Sequence, residues 1–243
     1  MYTGNLTKAL SPLALFAGLA ILTAWCVGAA LVLIAMRERR HSARKQALLH
    51  WAFAFFLLVL VKIPAFLAAA GFSFVIEDLT VYSAVAFPAR IAAYALFFRG
   101  LALALSLNIF WRNIVPLITF FGGAFVVFFL LFSVGASPAE AGNILRFFHY
   151  TAIASLILLG ACIVVKWRRA PQVYGFLFLV AGWLVFLVAD LSIALGYGDI
   201  PARMWFLNLV NSPFASVGFS IAHVLLFAGF VLIAGVERRT IKK

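Results

Sequence analysis

Seven apolar runs, most of them 20 residues or longer and separated by short polar connections, leave this chain one class of fold. A helix rises 1.5 Å per residue, so about 20 apolar residues cross the hydrocarbon core of a bilayer. Lipid offers the backbone no hydrogen bonds, and a helix satisfies its own. The runs are Pro12–Met36, Leu48–Phe72, Thr80–Leu105, Ile114–Gly135, Phe147–Val165, Val173–Gly196 and Phe214–Val236. The chain is 66% hydrophobic and 11% charged, against about 45–50% and 25% in a soluble domain. The expected fold is an all-α integral membrane protein, a single seven-transmembrane helix bundle spanning residues 1–243. No connection is long enough for a separate soluble domain. The longest, Tyr197–Pro213, contains Met204–Val210 with Trp205, which reads as a short interfacial helix.

The first run lacks the charged start, short apolar core and small-residue cleavage site of a secretory signal, so it is expected to stay as the first span. Charge then sets the orientation. Of the 19 Lys and Arg residues, only Lys8, Arg146 and Arg203 lie in the connections of one side, and Lys62 and Arg90 lie within spans. All the others, led by the Arg37–Lys45 cluster, fall on the opposite side. By the positive-inside rule the amino terminus is outside and the carboxyl terminus inside, in a cytoplasmic membrane. The formal charge of +12 is therefore an orientation signal that meets anionic lipid at the inner face, and nucleic acid is excluded as a partner.

A weak internal repeat is also legible. Leu60–Leu67 aligns with Leu187–Ala194, and Ser83–Arg90 with Ala215–Ala222. The basic turns after the first and fifth runs correspond as well. This suggests a 3+1+3 parallel repeat. With the chain's size, that arrangement resembles sugar transporters of the SWEET class, whose signature residues are not evident here. Microbial rhodopsins share the span count but hold their pigment on a lysine of the seventh helix, and Phe214–Val236 has none.

Function is sought in polar residues at membrane depth. A charged residue there costs about 2.5–3.5 kcal/mol on insertion scales and is kept only if paired or used. Lys62, Arg90, Asp190 and His223 all fall at similar depth in the outer half of the bilayer. Tyr94 lies one turn from Arg90, and Trp183 and Phe186 lie on the face of Asp190. Pro64 and Pro88 sit two residues from Lys62 and Arg90 and are expected to kink their helices beside the charges. Two cations against one carboxylate leave a surplus that an anionic group on a ligand would balance. An ion pair from Asp190 to Arg90 or Lys62 would instead lock helices, and Lys62 could snorkel outward.

Lys62, Arg90, Tyr94, Trp183, Asp190 and His223 are thus the candidate ligand-binding residues. Three function classes follow: a small-solute or ion permease, a receptor acting through a partner, or a subunit of a larger membrane assembly or homo-oligomer. No cofactor is expected. Cys26 and Cys162 lie in separate apolar runs and read as small buried hydrophobes. The histidines are too scattered for a metal site, and no catalytic motif is present, so an enzyme is not expected.

Overall fold

The computed structural model describes residues 12–38, 42–69, 79–135, 173–196 and 213–240, with helical residues 150, 152–158, 160–161 and 164–165 between them. Among the described residues the chain is helical, without strands. The helices are α1 (Pro12–Met36), α2 (Ala43–Ala69), α3 (Leu79–Ala104), α4 (Val115–Phe128), α5 (residues 152–158), α6 (Val173–Gly196) and α7 (Pro213–Thr240). Among the described residues six stretches are long and apolar enough to cross a membrane. They match the first four, sixth and seventh runs of the sequence. Parts of the fifth, with Cys162 and His149, lie outside the described residues, as do His41 and Met204–Val210.

Helix α2 packs on both α1 and α3, α6 packs on α7, and α1 lies against α7, while α4 joins the bundle through α3. α2 starts earlier than the apolar run implies, because the Ser42 hydroxyl accepts the Lys45 N–H at 3.1 Å and caps the polar turn ahead of it. α3 ends in a Schellman turn: Leu107 N–H bonds to Ala102 C=O at 2.9 Å and Ser106 N–H to Leu103 C=O at 3.1 Å. The residue in the left-handed position is Ser106, at φ 53°. Asn108 then accepts the Trp111 N–H at 3.2 Å and starts the next helical stretch. A left-handed conformation costs an L-residue roughly 1–2 kcal/mol, and Ser106 is exposed. Ser106→Gly is therefore expected to stabilise the protein by about 0.5–1 kcal/mol, read as a higher midpoint in thermal unfolding; a lower midpoint would contradict this turn.

The fourth stretch is π-helical at both ends, Phe110–Ile114 and Phe129–Ser133, with a long turn bonding Val134 N–H to Phe129 C=O. Its Phe121, Phe125, Phe129 and Phe132 point away from the protein, as lipid-facing side chains do. Cys26 is exposed on α1, contrary to the buried position expected, because the apolar solvent around a membrane helix accepts a thiol on either face.

The core is aromatic. Trp51 and Phe55 from α2, Phe97 from α3, Trp183 from α6 and Phe230 from α7 are all buried. Trp51 stacks on Phe230 at 4.1 Å, and Phe97 meets the Trp183 and Phe55 rings edge-on at 5.2 and 5.1 Å. Such pairs are worth about 0.5–1.5 kcal/mol each beyond burial. The Trp51 N–H donates to Phe97 C=O at 3.2 Å, tying α2 to α3. Glycine allows the close approach there, since a Cβ at Gly100 would collide with the Trp51 indole. The polar layer lies beyond this core, toward the far ends of α2 and α6.

A polar cluster between α2, α3, α6 and α7

Lys62 comes from the last two turns of α2, Arg90 and Tyr94 from the middle of α3, Trp183 and Asp190 from α6, and His223 from the middle of α7. Pro64 and Pro88 stand inside α2 and α3, which both continue through them. Each removes an N–H from the helical ladder one turn after a carbonyl, that of Leu60 or Ala84. The backbone beside both cations therefore carries an extra acceptor.

Lys62 does not snorkel. Part of its side chain is exposed, but the ammonium is buried and has no hydrogen-bond acceptor among the described residues. It sits over the face of Phe219, 4.0 Å from the ring centroid, with Phe186 at 6.0 Å. Cation–π attraction of about 2 kcal/mol in a desolvated site is less than the several kcal/mol that burying an ion costs. Asp190 lies within electrostatic range of Lys62 and offsets part of the rest, while Arg90, also within range, repels the ammonium and adds to the cost. The two act on Tyr94 as well, which also feels Tyr150 at the start of the fifth run. Asp190 is 5% exposed and does not hydrogen-bond the Lys62 ammonium. A direct Lys62–Asp190 lock is therefore not formed.

An aromatic wall joins these residues. Trp183 lies 6.1 Å from Tyr94 and 5.9 Å from Phe186, which in turn lies 4.9 Å from Phe219 and 6.4 Å from His223. His223 is fully buried, edge-on to Phe55 at 5.7 Å and within electrostatic range of Lys62. Its Nδ1 lies 3.4 Å from Thr23 Oγ1 on α1. Thr23, about eleven residues into α1, sits at the depth of His223, about ten into α7. Matching hydroxyls as well as charges by depth would have found it in the sequence. Ser220 turns inward on itself, donating to Ser216 C=O at 3.0 Å.

Nothing here gathers a metal: no three His, Cys, Asp or Glu side chains come together among the described residues. His50, nearer the start of α2, is engaged with Gln46 C=O at 2.6 Å. The cluster can hold charge and offer hydrogen bonds within apolar surroundings.

Six long apolar stretches among the described residues, with this polar layer between four of the helices, define the class, a multi-pass helical membrane protein. No family model, curated protein or solved structure matches the chain significantly.

Proposed function

We propose that this protein is a permease for a small anionic solute, with Lys62 and Arg90 contacting the anionic group, Asp190 as counter-ion and His223 as gate. The observation that carries this reading is the Lys62 ammonium, turned into the bundle, buried, and without a hydrogen-bond acceptor among the described residues. A flexible lysine near a helix end normally reaches for water or headgroups. One that turns inward, toward a second cation, is supported by a negative partner that comes and goes.

In this reading α1–α3 and α5–α7 are two parallel units joined by α4, with the amino terminus outside and the carboxyl terminus in the cytoplasm. The prolines in α2 and α3 stand where alternating access would bend the helices. The inner basic cluster, where Arg44 reaches Glu38 at 3.4 Å, anchors the protein to anionic lipid of the cell membrane.

Flux tests it. Purified protein in liposomes is expected to move one or more small anions from a panel of halides, phosphate and short carboxylates. Arg90→Ala should cut that flux at least tenfold, the scale of one charge-assisted hydrogen bond. Wild-type rates in Arg90→Ala, or no flux of any panel member, would overturn the permease reading.

A further inference from the structure

Besides the Lys62 ammonium, two more buried nitrogens of this layer have no hydrogen-bond partner among the described residues: Trp183 Nε1 and His223 Nε2. All three side chains surround one ring. Phe186 lies 6.0 Å from Lys62 Nζ, 5.9 Å from the Trp183 ring and 6.4 Å from the His223 ring. The other fully buried tryptophan, Trp51, has its acceptor in Phe97 C=O, so an orphaned indole is not the habit of this core. Leaving one such group unmade costs about 1–3 kcal/mol, and native interiors hold few. Three around a single phenylalanine form a site that a ligand completes.

The three are not chemically alike. The single proton of the Thr23 hydroxyl goes to Ala20 C=O at 3.0 Å, so Oγ1 offers His223 only its lone pairs. A proton on Nδ1 is the tautomer that gives this pair a hydrogen bond, and in that neutral ring Nε2 is a bare acceptor. Lys62 and Trp183 need acceptors on the ligand, and His223 needs a donor. Charge adds a third requirement. Among the described residues of the layer, Lys62 and Arg90, both protonated, against the Asp190 carboxylate leave one net positive charge, which a monoanion cancels and a dianion overshoots. Size adds a fourth. Lys62 Nζ and the Trp183 and His223 rings all lie within 6.4 Å of the Phe186 ring, so a ligand that touches all three is only a few atoms across.

We infer that the ligand is a compact monovalent oxyanion that carries its own hydroxyl, its negative oxygens on Lys62 and Trp183 and its hydroxyl donating to His223 Nε2. This rests on the reading of the cluster as a ligand site and narrows it.

The probes are glycolate, acetate, which is the same acid without the hydroxyl, and sulfate, titrated calorimetrically into the purified full chain. Glycolate should bind about tenfold more tightly than acetate, the scale of one hydrogen bond, and more tightly than sulfate. In His223→Phe, which keeps a ring against Phe55 and Phe186, the preference for glycolate over acetate should vanish while acetate binding persists. Trp183→Phe should weaken both acids together. Equal binding of glycolate and acetate, tighter binding of sulfate, binding of neither acid, or an unchanged preference in His223→Phe would each overturn the assignment. The wild-type comparison decides even if a variant fails to fold. Glycolate binding without glycolate flux would keep the ligand and remove the permease reading, whereas flux of another solute without glycolate binding would do the reverse.

Discussion

Gly229→Leu is expected to cost about 3 kcal/mol or more and to lower the thermal midpoint by about 10 °C. Helices α6 and α7 touch backbone to backbone at this point. A Cβ on Gly229 would lie 2.8 Å from Gly175 C=O, and one on Gly175 would lie 3.0 Å from Gly229 C=O. A carbonyl cannot rotate away as a side chain can, so any larger residue separates the helices. In lipid no hydrophobic force holds two helices together, and close packing of small residues is the main attraction. The same contact continues to Gly218, where a Cβ would meet Ala189 at 2.8 Å, next to Asp190. Separation would therefore also move Phe186 away from Phe219 and His223, so binding should fall together with stability. An unchanged midpoint in detergent would show that α6 and α7 do not approach as described.

Lys62→Met should do the opposite to stability. Methionine keeps the length of the side chain and removes a buried ammonium that the protein only partly compensates. Replacing buried charge by well-packed apolar groups commonly stabilises by about 1–4 kcal/mol. The thermal midpoint should rise by several degrees while anion flux falls at least tenfold. Stability and activity moving in opposite directions mark a residue kept for a ligand. If Lys62 were instead holding the helices together, Lys62→Met would lower the midpoint, and it is that result which would count against the account.

Much of the fold is legible in the sequence because lipid imposes so coarse a rule. α1 and α6 match their apolar runs residue for residue, and α3 is displaced by one. Where runs and helices part, a polar group intervenes: Ser42 extends α2 backward, and Asn108 with the Phe110–Ile114 turn starts the fourth stretch early. Hydropathy is blind to rotation about the helix axis. It placed Cys26 inside, where the structure has it exposed, and it gave no sign that α4 would stand at the edge. Lys62 shows the same limit. Depth put it within reach of the surface, but the choice between snorkelling and turning inward depends on Phe219, 157 residues later in the chain. Thr23 carries little signal in its own helix, because one hydroxyl in an apolar helix satisfies itself locally, and its position opposite His223 gives it a role.

Anion-dependent thermal unfolding of wild type and Lys62→Met, side by side, decides whether Lys62 serves a ligand. A ligand that binds only the folded state stabilises by RT ln(1 + [L]/Kd), about 2.7 kcal/mol at a hundredfold excess over Kd. Wild type should start lower and climb with added small monoanion, and Lys62→Met should start higher and not respond. Equal anion responses in the two proteins, or a Lys62→Met that melts below wild type without anion, would contradict the assignment of Lys62 to a ligand.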